Sequence, residues 1–362
     1  MRFASLVLVL AVVACGDNRL IPDGAIDTSV DTSTVDASDP NNPLTLFDTG
    51  LCVDRACTQI SPDVHTYTPQ FPLWADTASK HRWYKLPPGT QIDTTDMDHW
   101  VFPVGTKFWK EFTRDDGMGH DIRVETRLVM RIGPGELAAD WFYVAYQWND
   151  TQTDTKAVPT GVMNANGTQH DIPSRTQCKG CHENSKPSRV LGFQAIQLDI
   201  PAATAGDTTL ASLVSAGTLT ANPSGAAPYF PLPGTATERA ALGYVHANCG
   251  HCHNPSSAVH SIVTMELRLT VGSLGAVTTT PAYLTTVGKT AEAPVGTFPK
   301  DCLDALSNPA ECIVSKNQPD HSALIFRFEA TPGTSPHMPQ LGSEMMDPTG
   351  DTTLRTWITN LP

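Results

Sequence analysis

Two pentapeptides, Cys178-Lys179-Gly180-Cys181-His182 and Cys249-Gly250-His251-Cys252-His253, repeat the pattern Cys-x-x-Cys-His. Cysteines three apart on a tight helical turn reach the two vinyl groups on one edge of a porphyrin, and the following histidine then lies beneath the iron. With 9 Cys and 12 His in 362 residues, chance placement would give about 0.007 such runs. The spacing therefore predicts two covalently attached haem c groups, with Cys178, Cys181, Cys249 and Cys252 as thioether positions and His182 and His253 as iron ligands. Three blander chemistries compete. A redox Cys-x-x-Cys gives no reason for a histidine at the fifth position twice. A four-sulfur zinc site from the two pairs would need a gap much longer than the ~15–20 residues of a zinc ribbon. Structural disulfides are the third.

The start of the chain bears on compartment. Arg2 is followed by an apolar run over residues 3–13, too short to span a bilayer, which ends in Val12-Val13-Ala14-Cys15-Gly16. This resembles a bacterial lipoprotein signal, and the resemblance implies cleavage after residue 14 and lipidation of Cys15, making a permanent membrane anchor. An ordinary secretory signal with an incidental Cys15 is the alternative. The retention signal that places Asp directly after the cysteine does not match, since Gly16 stands there. An outer-membrane lipoprotein facing the periplasm or the cell surface is expected. Residues 15–45 are rich in Asp, Thr and Ser, poor in large apolar residues, and read as a tether that cannot offset its ordering entropy.

With one cysteine assigned to lipid and four to haem, Cys52, Cys57, Cys302 and Cys312 remain. In an oxidising compartment the economical pairing is Cys52–Cys57 and Cys302–Cys312. A net charge of −13 argues against nucleic-acid partners and suits either basic redox partner proteins or plain solubility.

The chain beyond the tether is too long for one small core. Over 46–175 it reads as a β domain. Arg82 to Ile92 and His99 to Phe108 each run aromatic strand, Pro-x-Gly-Thr turn, strand; residues 124–132 and the aromatic run 141–148 add two more. A sandwich or curled sheet is expected, its aromatic residues serving as core. A segment over 176–235 carries the first attachment site. The last part, 236–362, reads as mainly α: a helix over 237–246 capped by Thr235 or Thr237, and another over 351–361 with Leu354, Trp357, Ile358 and Leu361 on one face. The expected class is thus multidomain α+β.

Between those helices lies His337-Met338-Pro339-Gln340-Leu341-Gly342. Helix, Cys-x-x-Cys-His, Met-Pro and terminal helix in that order resemble class I cytochrome c. The resemblance implies that Gly243 and Tyr244 meet Trp357, that His253 is the proximal ligand and that Met338 is the distal one. Met345 or Met346 as ligand, with Met338 in the core, is the alternative. The stretch from His253 to Met338 is longer than in a minimal cytochrome, so an insertion at the haem rim is expected. Arg327 is a candidate partner for a haem propionate or else a solvated charge.

For the first haem no distal ligand is evident. His170, Met163, His120, His99 and His81 are upstream candidates, and His246 is the only histidine between the two motifs. A β region followed by Cys-x-x-Cys-His also resembles, loosely, cytochrome P460, whose lysine cross-link would point to Lys107 or Lys110. Two functions follow as expectations. One is a membrane-anchored diheme electron carrier. The other is a haem enzyme oxidising a small molecule at the first haem, with the second as relay. A third reading, the β region as a ligand-binding module, has no motif behind it.

Overall fold

The computed structural model describes residues 42–185, 189–200, 206–293, 298–334, 336–340 and 342–362. The expected signal, Cys15 and nearly all of the tether lie outside the described residues, as does Leu341 of the Met-Pro stretch. The protein is of mixed α+β class.

The β region is one six-stranded antiparallel sheet in the order β1 (His65–Thr66), β2 (Ser79–Lys85), β3 (Lys107–Asp115), β4 (Asp121–Arg131), β5 (Trp141–Trp148) and β6 (Thr155–Ala157). Every strand pairs with its sequence neighbour. Of the two architectures expected, the sandwich is not formed: among the described residues no second sheet packs on this one. Irregular chain and short helices cover it instead, because both faces are apolar. Trp83, Trp109, Leu128, Phe142, Val144 and Trp148 point to one face and are closed off by Leu46, Leu51 and Cys52. Tyr84, Phe108, Trp141 and Tyr143, offset by one residue in the pleat, point to the other. There Phe193 packs edge-on or tilted against Tyr67, Tyr84 and Phe108 at ring separations of 4.9, 4.7 and 5.2 Å.

The two Pro-x-Gly-Thr turns form alike. Thr90 and Thr106 each return both amide and hydroxyl to the carbonyl of the proline three residues earlier, with Gly89 and Gly105 at positive φ. The strands expected between them shrink to isolated bridges, Asp93 with Val101 and Ile92 with Leu219.

After the sheet come α1 (Arg175–His182), α2 (Ala195–Leu198) and α3 (Leu210–Ser215). Leu198, Leu210 and Leu213 enter the same core as Tyr84 and Phe108, so the parts over 190–198 and 210–219 are built onto the sheet. The remainder holds α4 (Ala236–Asn248), α5 (Pro281–Thr286), the strand pair β7 (Cys302–Leu303) and β8 (Pro309–Ala310), α6 (Ala323–Glu329) and α7 (Pro348–Thr359).

Thr235 is the cap of α4, its hydroxyl accepting from the Glu238 amide while Glu238 returns a bond to the Thr235 amide. Helix α7 begins earlier than the periodicity suggests, since Asp347 caps it and Pro348 suits its first turn. Helices α4 and α7 pack together, burying Ala241, Leu242 and Val245 against Leu354, Trp357 and Ile358. Each large apolar side chain so buried contributes about 1.5–3 kcal/mol.

The close approaches at this crossing differ from those the cytochrome resemblance implies. A side chain at Gly243 would overlap the Phe71 ring, and one at Gly350 would overlap Tyr244. A second close approach thus pairs a small residue of α7, Gly350, with Tyr244 of α4. Phe71 comes from the segment 67–77, which leaves the sheet and crosses α4. There the Trp74 amide bonds Asn248 Oδ1 at 2.7 Å.

Both expected pairs, Cys52–Cys57 and Cys302–Cys312, are joined, with Cα separations of 5.0 and 5.2 Å. Among the described residues no helix is long and apolar enough to cross a membrane.

Candidate functional site

Helix α1 presents the first pentapeptide. Ser174 caps it through a reciprocal pair with Gln177, and Arg175 ties it to β5 by donating from Nε to the Tyr143 carbonyl at 3.0 Å. Tyr143 lies against the His182 ring, centroids 5.3 Å apart. His182 Nδ1 is 2.6 Å from the Arg189 carbonyl, which fixes the tautomer and leaves Nε2 as the basic nitrogen. Burial, with Lys110 and Arg127 nearby, pushes His182 down to about 4, so the ring is neutral at pH 7. That is the condition of a metal-binding imidazole.

Cys178, Cys181 and His182 line a cleft enclosing about 1880 Å³ of unfilled space, solvent-open parts included. The opposite walls come from distant sequence: Phe108, Lys110 and Phe112 of β3, Arg82 of β2, Arg127 of β4, Tyr244 and Ala247 of α4, and the stretch His337-Met338-Pro339 with Met345 and Met346. All three candidate methionines of the C-terminal part therefore share one cavity with the first pentapeptide. Cys249, Cys252 and His253 are not among its lining residues.

The Met338 amide donates to the Arg327 carbonyl at 2.9 Å, and buried His337 holds the loop through Nε2 to Ser343 Oγ at 3.1 Å. Segment 67–77 pins the following turn: Trp74 Nε1 donates to the Met345 carbonyl at 2.9 Å, and the Met345 amide to Asp76 Oδ1 at 2.8 Å.

The second pentapeptide follows α4 directly, the Cys249 amide still bonded to the Val245 carbonyl. Gly250 abuts the His246 carbonyl and the Arg268 backbone, where any side chain would collide. His253 is pushed down to about 4 by burial, with His251 and Arg327 adding to the effect, and its Nδ1 is buried without a partner.

Residues that follow the two pentapeptides bridge them. Asn254 Nδ2 donates to the Asn184 carbonyl at 3.3 Å, to Gly250 at 2.9 Å and to His251 at 3.0 Å. Ser185 Oγ lies 3.4 Å from both the Cys181 and the His251 carbonyls. Cys178, Cys181, Cys249 and Cys252 carry no disulfide. Among the described residues no group of three or more His, Cys, Asp or Glu converges to hold a metal ion, so the two pairs do not meet in a four-sulfur cluster.

The distal candidates separate cleanly. His170 and Met163 line the cleft, His170 with Nε2 on Glu125 Oε1 at 2.6 Å. His120 pairs with Asp116, His99 with Asp96 and His81 with Glu111, all outside it. His246 has both nitrogens engaged, by the Leu269 amide and Gln194, and is a core residue. Lys107 donates to the Thr49 carbonyl away from the cleft, whereas Lys110 faces it. Arg327 gives its guanidinium to the Ala293 and Pro336 carbonyls at 2.6 and 3.5 Å and does not line the cleft.

His337, His251, Arg82 and Arg127 were missed as site residues by sequence reasoning, and Lys110 was named only through the cytochrome P460 resemblance. Only the strand alternation Phe108, Lys110, Phe112 signalled that a lysine shares a face with core aromatics. Comparison with protein families, curated proteins and solved structures finds nothing similar to this chain.

Proposed function

We propose that this protein is a membrane-tethered c-type cytochrome with two covalent haems that passes electrons between redox partner proteins. Cys15 is the lipid anchor in this reading, and the part over 236–362 resembles a class I cytochrome c in its helices, with Met338 turned toward the cleft of the first pentapeptide. The observation that carries it is the bridging of the two Cys-x-x-Cys-His turns by Asn254 and Ser185. Groups attached at these turns would lie within the short range that electron exchange requires.

Haem c bound at the two pentapeptides would supply a one-electron iron couple at each. The chain's own residues then have definable tasks. The Arg189 carbonyl holds His182 in the tautomer that offers Nε2. Met338, fixed by its backbone bond to Arg327, offers a soft thioether that favours the reduced metal. The aromatic face of the sheet excludes water from one side of the cleft. A site held by a continuous sheet and by the packed pair α4 and α7 reorganises little on a change of charge. The net charge of −13 suits a basic partner.

The width of the cleft supports a second reading, oxidation of a small molecule at the first haem. Carbon monoxide titration of the reduced protein separates the two: no binding supports the carrier, and stoichiometric binding at one haem the enzyme. The test of the shared premise is a pyridine haemochrome count on protein matured with a working haem-attachment system. Two haems per chain are expected. Colourless protein, or zinc in place of iron, overturns it.

A further inference from the structure

We infer that Arg82 and Lys110, flanked by Arg127, seat the two propionate groups of the haem attached at Cys178 and Cys181. The inference rests on the haem reading of the first pentapeptide and goes beyond it by orienting the group in the cleft.

In the sheet register Arg82 stands directly opposite Lys110, and Lys110 directly opposite Arg127. All three line the cleft. Like charges directly opposite one another on adjacent strands are destabilising, and partial burial sharpens the cost. Arg127 is compensated, because its Nε and Nη2 grip Glu125 at 2.9 and 2.5 Å. The others are not.

Arg82 is only 8% exposed, yet among the described residues its guanidinium makes no hydrogen bond or ion pair. Among the described residues Lys110 makes no hydrogen bond: its ammonium lies over the Phe112 ring at 4.8 Å, and the carboxylate that acts on it, Glu125, is already held by Arg127 and His170. Asp76, Asp171, Glu344 and Asp347 line the same cleft, but their charged neighbours are Lys80, Arg114 and one another. Two cations side by side in a partly enclosed cleft, neither with a hydrogen-bonded anion of its own, suit a ligand with two negative charges.

The direction of the row supplies the orientation. Arg127 is close enough to Cys178 to ease ionisation of its thiol, so the row begins near the attachment edge. Arg82 lies two strands away, about 10 Å at the usual interstrand spacing. A flat group bonded by sulfur at one end and carrying paired carboxylates at the other spans that interval. Burial and the surrounding cations Arg82, Lys80 and Arg127 hold Lys110 well below its ordinary range, a crowding that a dianion would relieve.

The test uses the full chain with its haems attached. Arg82→Gln and Lys110→Met, made separately, should each keep two haems on the denatured, stained polypeptide. Each should lower the reduction potential of one haem, because an uncompensated propionate favours ferric iron, and shift its propionate bending band in resonance Raman spectra. Arg82→Lys should recover part of both shifts. Unchanged potentials and bands in Arg82→Gln and Lys110→Met, with both haems still attached, overturn the seat; should one variant fail to fold, the other decides alone. Failure of the premise looks different: Cys178→Ala with Cys181→Ala would then leave the number of stained haems unaltered.

Discussion

Asn254 donates its side-chain amide to the Asn184 carbonyl, seventy residues earlier in the chain, at 3.3 Å, and to two carbonyls of its own pentapeptide. Asn254 is 2% exposed, so this amide is the fastener between the two attachment turns. Asn254→Ala leaves buried carbonyls unbonded and should destabilise the fold by about 1–3 kcal/mol. The urea midpoint should fall, and electron exchange between the haems should slow if the turns part. An unchanged midpoint would mean that water replaces the amide at no cost.

The crossing of segment 67–77 over α4 depends on Gly243, where any Cβ would overlap the Phe71 ring. Gly243→Ala should cost about 1–3 kcal/mol by overpacking, although alanine is the better helix former. Phe71→Ala in the same chain should make the added methyl tolerable. A thermal melt of the double variant no worse than Phe71→Ala alone would establish the contact; an additive loss would refute it.

His246 gives the protein an acid-sensitive core. Burial, followed by the nearby Arg268 and His251, pushes it down to about 3 from an ordinary 6.5. The folded state therefore binds this proton more weakly than the unfolded chain. Stability is fully present above pH 6.5 and is lost as pH falls below it, at up to about 1.4 kcal/mol per pH unit. Urea midpoints measured from pH 7 to pH 4 should decline, and His246→Gln should flatten the slope. A slope unaffected by the substitution would assign the acid sensitivity to other groups.

Met338 lies in the cleft with Met345 and Met346, so the ligand among them is a matter for single substitutions. Met338→Ala should abolish the near-infrared sulfur-to-iron band and lower one reduction potential. If instead Met345→Ala or Met346→Ala removes the band, the ligand moves one turn along the same loop and the cleft stays as described.

Local signals carried much of this fold. The two pentapeptides, the Thr235 cap, the i, i+3, i+4, i+7 face of α7 and the repeated Pro-x-Gly-Thr turns are all written in neighbouring residues, where backbone sterics and periodicity act. The disulfide pairs were legible for the same reason, being separated by 5 and 10 residues. The seating of Phe71 on Gly243 and of Tyr244 on Gly350 was not, since a crossing point is set by how two surfaces fit.

By itself, the sequence singled out the candidate groups: four thiols and two imidazoles in two pentapeptides of one spacing, and a thioether beside a proline. Tertiary structure decided their company. It brought His337, Met338 and Met346 to the cleft of Cys178, set Arg82 beside Lys110, and joined the two turns through Asn254. Such pairings lie across strands and between distant loops, and they follow from strand register and side-chain packing over the whole chain, which no short run of residues encodes.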